Sequence, residues 1–560
     1  MSSSQNSNYS RFASESEIKS SLYKVNFNGD IPQYGGIPLF TETGDVYVEP
    51  TDTHSLIIGS TGSKKTRLIG MPTLLLYALS GESFIATDPK AELYERTLPL
   101  LKEQGYRVFV LNLRDPVHSN AWNPFIVPYR LYHNGQRDKA IELINDMSAC
   151  IVKEDYAKEP YWQNSAADLL AGLILVLFEC AQENEINFKS LRALRTQAFK
   201  NTSERLNSDN HTVFIKEKFL NFLDATTFIN SLLGGTAEVC DTTRGCIVSE
   251  FDQALRPFFS QDNLIDMLCV NDLDMSEIGK EKTAVFLIIP DENTLYHRLI
   301  SVFVKQCYTE LIIEAQKQPA KSLPRRVNFL LDEFSSLPPI GDFPAMITAS
   351  RSRNIRFNLF VQSINQLKDR YGWQSETIKG NCENWVFLHS REFSLLEELV
   401  NLSGMRNHED SLVSVSMLQT LDKIKGEAFI MHKRMHPYIA CLPDIDSYPG
   451  IAPNRRQTEY PKNSHKAETI FDFEKFCRKN SNFFLSNLFS GKTHDEIRNI
   501  SREEEEKYYM SDDDDCVMLE PIFTSTVPDK LPAKGSDGLP QHRRIEPIPD
   551  EPQEGSVSPI

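Results

Sequence analysis

Short apolar runs bounded by turn residues mark the first third of the chain. Residues 55–58, 83–87 and 108–113 read as strands, and the stretches between them, 66–80 and 92–104, carry apolar residues at helical spacing. Strand, helix, strand, helix, strand predicts a parallel sheet covered on both faces. From about residue 128 to 276 the pattern changes to long helical periodicities, such as 138–152 and 162–181, which predicts an all-α insertion. At residues 283–290 a fully apolar strand returns, followed by a helix over 298–315 and by strands at 327–331, 357–361, 384–388 and 427–431. The α/β sheet thus resumes after the insertion. The flanks read differently: the first 44 residues are rich in Ser and Asn and form an extension that orders near Ile37, and after residue 460 one aromatic helical patch, 470–489, precedes a polar tail. The expected organisation is an extension (1–44), an α/β domain in two parts (45–127 and 277–460), the all-α insertion (128–276), and a C-terminal helical patch with an acidic, Pro-rich disordered tail (461–560). No repeat of 20 to 50 residues is visible.

Charge sharpens this picture at one place. The 560 residues carry a net charge of −17, yet residues 501–560 alone hold 15 acids against 6 bases, so more than half of the excess sits in the tail. A uniformly basic nucleic-acid binder is excluded, whereas a locally basic channel is not. Ten cysteines occur singly, with no CxxC pair and no Cys/His cluster at zinc-ligand spacing, so they read as reduced and mostly buried. The N-terminus lacks the apolar stretch of a leader, and no run reaches the roughly 20 apolar residues of a membrane span. The longest, 169–180, suits a buried helix. The expected location is the cytoplasm, with peripheral attachment to the inner face of the membrane through partners.

The strongest chemical signal is Gly59-Ser60-Thr61-Gly62-Ser63-Lys64-Lys65-Thr66, between an apolar strand and a helix. In a phosphate-binding loop backbone N–H groups wrap the phosphates, a lysine reaches the β and γ oxygens, and a hydroxyl ligates Mg²⁺. Lys65 and Thr66 occupy the last two positions. The pattern asks for glycine where this chain has Lys64, and a side chain there costs about 1 to 2 kcal/mol if its φ must be positive. Taken alone the loop also reads as an ordinary strand-to-helix turn. A second signal stands beside it: the apolar strand 327–331 ends in Asp332-Glu333, where the first carboxylate can join the Mg²⁺ shell and the second can polarise an attacking water. Asp88 and Lys90 follow another sheet strand and share the same rim, either as part of the site or as a helix start. Arg351 and Arg353 precede the strand 357–361, which ends at Gln362; the arginines can reach a γ-phosphate across a subunit interface and Gln362 can sense it, or all three form surface salt bridges and a polar strand end.

The segments HSLIIGSTGSKKT (54–66), FIATDPKAELYERT (84–97), EPYWQNSAADLL (159–170), KTAVFLIIPDEN (282–293), NFLLDEFSSLP (328–338), SRSRNIRFNLFVQSINQLKDRYG (350–372) and GEAFIMHKRMHPYIA (426–440) resemble, in order over residues 10–450, the type IV secretion coupling proteins, the TraG-like conjugative DNA-transfer ATPases. The resemblance implies an α/β, RecA-like P-loop NTPase with a mostly parallel sheet, interrupted by an all-α domain and assembled as a homo-hexamer. It also implies ATP and Mg²⁺ as cofactors and Lys65, Thr66 and Asp332 as phosphate and metal residues. Glu333 becomes the catalytic carboxylate, Gln362 the sensor, and Arg351 or Arg353 the interface arginine. Expected partners are DNA bound as a single strand without sequence preference, a relaxase-like or other cargo protein, and type IV secretion components at the inner membrane. Family members usually carry N-terminal transmembrane helices, which this sequence is expected to lack. Two functions therefore stand side by side: an ATPase that recruits and translocates DNA or a DNA–protein substrate, and, because of Lys64, a hydrolysis-impaired nucleotide-binding adaptor that recruits cargo.

Overall fold

The computed structural model describes residues 9–27, 31–153, 159–202, 212–223, 226–290, 295–449 and 459–480. The acidic tail, Cys516 and the distal half of the aromatic patch lie outside the described residues. In chain order the strands are β1 (Tyr23–Val25), β2 (Pro38–Glu42), β3 (Asp45–Val48), β4 (Ser55–Gly59), β5 (Ser83–Thr87), β6 (Arg107–Asn112), β7 (Thr283–Ile288), β8 (Val327–Leu331), β9 (Ile355–Val361), β10 (Asn384–His389), β11 (Glu427–His432) and β12 (Tyr438–Cys441). Nine of them form one sheet in the order β12-β11-β10-β4-β9-β8-β5-β7-β6. It is parallel from β10 to β6, and β11 and β12 join it antiparallel at one edge.

The central strands are apolar throughout because each of their faces meets its own core. Leu56 and Ile58 of β4 point into one core and Ile57 into the other, and β9 divides in the same way, with Phe357, Leu359 and Val361 against Phe360. On the first face lie the helix Leu295–Lys317 and the helices between Ile126 and Met267; on the second lie the helices Met71–Ser80 and Glu92–Glu103 and a separate three-stranded sheet, β1-β3-β2. Among the described residues, the interruption between β6 and β7 is helical apart from an isolated bridge, Asn201 to Val213. Its apolar side chains run continuously into the sheet face. Its central helix, Pro160–Cys180, is long and apolar enough to cross a membrane, but its side chains from Leu169 to Ala171 and from Leu173 to Phe178 are no more than 1% exposed inside this core.

Three expectations need correction. Residues 9–27 and 31–44 are not a bare extension: they carry the helix Glu15–Ser21, whose Ser14 and Glu17 form a capping box, together with β1 and β2. The strands were missed because β1 is three residues long, with one buried position. Residues 459–480 are more than a helical patch. They form a strap that hydrogen-bonds Tyr94 through the Glu459 carbonyl, pairs His465 with Asp272 at 2.7 Å and Lys466 with Asp266 at 2.8 Å, and ends in the helix Phe473–Lys479. The cysteines are less buried than expected, with Cys240, Cys246 and Cys441 exposed.

At the start of β4, His54 is fully buried. Its Nδ1 accepts from the Phe357 N–H at 3.0 Å, and its Nε2 lies 2.9 Å from the Ile347 carbonyl, so the neutral ring protonated on Nε2 satisfies both. Burial pushes its pKa down to about 4 from an ordinary 6.5. A depressed folded value means that this contribution is complete above pH 6.5 and is lost as the pH falls toward 4, amounting to about 3 kcal/mol. The unfolding midpoint is therefore expected to fall across that window, and His54→Gln, although less stable at neutral pH, is expected to show a shallower slope in a melt series between pH 7.5 and 4.

Candidate functional site

The carboxyl ends of β4, β9, β8 and β5 lie side by side, and it is there that an open α/β sheet binds its ligands. The loop 59–66 leaves β4 with no room at its first residue: a Cβ on Gly59 would sit 2.4 Å from Ser63 Oγ. Ser60 N–H donates to the His389 carbonyl at the tip of β10 at 2.8 Å, and Ser63 N–H turns back to the Ser60 carbonyl at 3.0 Å. Lys64 has φ +69°, the left-handed conformation that the glycine pattern anticipates, so the strain expected from the sequence is present. Its side chain leaves the loop toward Asp444 at 3.5 Å. A turn of π-helix over Thr66–Gly70 then leads into the helix Met71–Ser80.

Lys65 is buried, with its ammonium 2.5 Å from the Gly59 carbonyl. Burial pushes its pKa below the ordinary value, against the pull of Asp332 and Glu333. Thr66 Oγ1 lies 3.4 Å from Asp332 Oδ2. Asp332 is raised to about 6, first by burial and then by the neighbouring Glu333 charge, with Lys65 acting the other way. Its backbone is pinned, since Thr87 Oγ1 at the tip of β5 donates to the Asp332 carbonyl at 2.8 Å. Glu333 turns the chain at φ +57°, a conformation costly for a non-glycine residue, and this aims its carboxylate across the rim. There Gln362 Nε2 donates to Glu333 Oε2 at 2.5 Å, and Thr61 Oγ1 donates to Gln362 Oε1 at 3.1 Å. A continuous chain of side-chain contacts thus runs from the loop through the tip of β9 to the carboxylate after β8.

This donor set suits a phosphate and a hard divalent cation. The Ser63 hydroxyl is buried in the loop without a hydrogen-bond partner, an orphan that an anion's oxygens would satisfy, and the Thr66 hydroxyl with the Asp332 carboxylate offers oxygen ligands on one side. The structure brings Gly59, Ser60, Thr61, Gly62, Ser63, Lys65, Thr66, Asp332, Glu333 and Gln362 together. Arg351 and Arg353 stand apart from them. Both precede β9, whereas Gln362 follows it, and seven residues of strand separate the two ends by about 23 Å. Arg351 pairs there with Glu383 and, at 3.3 Å, with Asp52, while Arg353 donates to the Lys321 carbonyl. Asp88 does share the rim. It is buried, it accepts from Tyr94 N–H at 2.9 Å at the start of the helix Glu92–Glu103, and burial raises it to about 7.

Residues that the sequence did not point to complete the surroundings. Arg67, next to Thr66, pairs with Asp444 and Asp446 beyond β12, and Arg96 reaches Asp446 at 2.9 Å. An arginine beside the loop and a D-x-D after a strand are both visible in the sequence, but nothing there joins positions 377 residues apart.

A family model described as Type IV secretory system Conjugative DNA transfer matches residues 5–399. The type IV secretion system-coupling protein VirD4 of Bartonella henselae is 24% identical over 328 residues, covering 57% of this chain and 48% of that protein, and the VirD4 of Bartonella quintana is 24% identical over 329 residues with the same coverage. The chain spans about half the length of the curated relatives it matches. Among solved structures, the plasmid coupling protein TrwB in complex with the non-hydrolysable ATP analogue ADPNP superposes with a TM-score of 0.56 over 81% of this chain and 97% of that chain at 16% identity. TrwB with ADP and Mg²⁺ gives 0.55 over 81% and 96%, again at 16% identity. This likeness shows the fold, an α/β, RecA-like architecture with a mostly parallel sheet interrupted by helices. With the family match running from the N-terminal segment past β10, across every element that builds the rim, the chain belongs to the type IV secretory system conjugative DNA transfer family.

Proposed function

We propose that this chain binds Mg²⁺ and ATP at the β4–β9–β8 rim and couples hydrolysis to the movement of DNA, or of a DNA-bound protein, toward a type IV secretion channel. The observation that carries this reading is the contact chain Thr61–Gln362–Glu333, which ties a phosphate-binding loop to a carboxylate suited to activating water. Lys65 and the loop hold the phosphates, and Thr66 and Asp332 hold the cation, which when bound neutralises developing phosphate charge. Glu333 accepts the proton of the attacking water, and Gln362 orients that carboxylate while sensing the loop through Thr61. The family membership and the TrwB complexes with ADPNP and with ADP and Mg²⁺ support the choice of cofactor.

Arg351 and Arg353 act in this reading only from a neighbouring subunit, since their own strand carries them away from their own loop. That placement supports a ring, with a homo-hexamer as its form, and single-stranded DNA passing through it by sequence-independent backbone contact. A relaxase-like cargo, secretion components at the inner membrane, and a cytoplasmic or membrane-peripheral location belong to the same proposal. The test is steady-state ATP hydrolysis with and without single-stranded DNA. Turnover stimulated several-fold by DNA is expected, and DNA-independent turnover would detach the motor from DNA.

One observation favours the adaptor reading, the left-handed Lys64. If Lys64 blocks the chemistry, Lys64→Gly will raise turnover by orders of magnitude from near zero; if the chain is a working ATPase, the change will stay within roughly tenfold, the size of the relieved backbone strain.

A further inference from the structure

The glycine position of the loop is filled by a residue whose backbone is strained and whose side chain is anchored, and the anchor is distant in the sequence. Lys64 has φ +69°. Its ammonium lies 3.5 Å from Asp444 Oδ2, and the same carboxylate accepts from Arg67 Nε at 2.9 Å, one residue past the loop threonine. Asp444 is itself fixed: it caps the turn Ile445–Ser447, accepting from Asp446 N–H at 3.4 Å, directly after the last strand of the sheet. Asp446 contacts Arg67 a second time and holds Arg96 on the helix Glu92–Glu103. Three cations, one in the loop and two on the elements beside it, thus converge on a D-x-D turn distant in the sequence.

A side chain at a left-handed position keeps its backbone there only while the surroundings favour that conformer. Glycine at position 64 would need no such support. Lys64 in the left-handed form sends its ammonium to Asp444, and a peptide flip at 64 would withdraw it. The same flip would rotate the loop's N–H groups out of the arrangement that cradles phosphate. We propose that Asp444 is a positioning residue for nucleotide binding, holding Lys64 in the left-handed conformation and so substituting for the glycine that the loop lacks. This rests on the reading of the loop as a nucleotide site. Asp444 touches no ligand and acts through Lys64.

The pair is partly exposed, which limits its strength, so Asp444→Asn is expected to weaken binding of Mg²⁺-ADPNP roughly five- to tenfold. Arg67 keeps Asp446 in that variant but loses the charge of Asp444 as Lys64 does, so the single change does not by itself assign the loss to Lys64. The readout that separates positioning from general support is the second background. In Lys64→Gly protein, the same Asp444→Asn change is expected to alter the ADPNP dissociation constant by less than about twofold, because glycine needs no anchor. Asp444→Glu, which keeps the charge, is expected to restore most of the affinity, and thermal melts of each protein establish that all are folded. Equal losses with Lys64 and with Gly at position 64 would overturn the clamp, as would no loss with Lys64. ADPNP binding absent from every protein, Lys64→Gly included, would overturn the nucleotide reading beneath it and the clamp with it.

Discussion

Glu333→Gln is expected to lower ATP turnover by about a hundredfold or more while ADPNP binding stays within about threefold of the natural protein. The substitution keeps the volume of the side chain and an oxygen that can accept from Gln362 Nε2, so the contact chain to Thr61 survives. What disappears is the charged oxygen that takes a proton from water. The Glu333 charge, after burial, also holds the Asp332 carboxyl above its ordinary range. Its neutralisation therefore eases ionisation of Asp332, which offsets the attraction for the cation lost with the Glu333 charge, and the loss is expected on the chemical step. Asp332→Asn provides the contrast, since it removes an oxygen from the pair facing Thr66 and should reduce Mg²⁺-dependent binding as well as turnover. Phosphate release and ADPNP titration on the two variants separate these outcomes. Natural turnover in Glu333→Gln would show that water is activated elsewhere on the rim.

The rim was legible in the sequence because its parts are local. A phosphate loop, a strand ending in Asp332-Glu333 and a strand ending in Gln362 each announce themselves within a dozen residues, and parallel-sheet physics places all three strand ends on one edge. The order of the strands was not legible. Nothing in residues 355–361 says that β9 inserts between β4 and β8, yet this insertion is what puts Gln362 within reach of both Thr61 and Glu333. Arg351 and Arg353 precede the strand that ends at Gln362 and so stand apart from the rim of their own chain, and a reach across a subunit interface is not something one chain's strand order displays. Lys64 was read correctly as a strained position from the missing glycine alone, but its partner Asp444 was invisible, because an ion pair across 380 residues leaves no mark on either segment. The N-terminal sheet escaped for a related reason. Its strands are short, and part of what fixes them is a single side chain on β9.

That side chain is Arg356, and Arg356→Met is expected to destabilise the protein by about 3 to 5 kcal/mol, read as a fall in the denaturant midpoint. Arg356 is 1% exposed and lies on the face of β9 turned toward the N-terminal sheet. Its guanidinium spends its donors on Asn328 Oδ1 at 2.7 Å, Glu82 Oε2 at 2.9 Å, and the carbonyls of Gly35, Glu49 and Thr51 at 3.1 to 3.3 Å, and it stacks 5.3 Å from the Tyr77 ring. The three carbonyls belong to the segments on either side of β2 and β3, so one cation fastens that sheet to the large one. Close approach there is possible because Gly36 lacks a side chain; a Cβ would meet the Glu49 carbonyl oxygen at 2.2 Å. Methionine fills the volume but leaves Glu82 buried with a charge that Arg326, 3.5 Å away, answers only in part. The loss should therefore come mainly from the stranded carboxylate, and adding Glu82→Gln to Arg356→Met should recover a substantial part of it. Arg356→Lys is expected to fall between the two, since a single ammonium cannot serve five acceptors in a plane. A double variant no more stable than Arg356→Met would move the weight of this network from the buried charge to the carbonyls of the N-terminal segment.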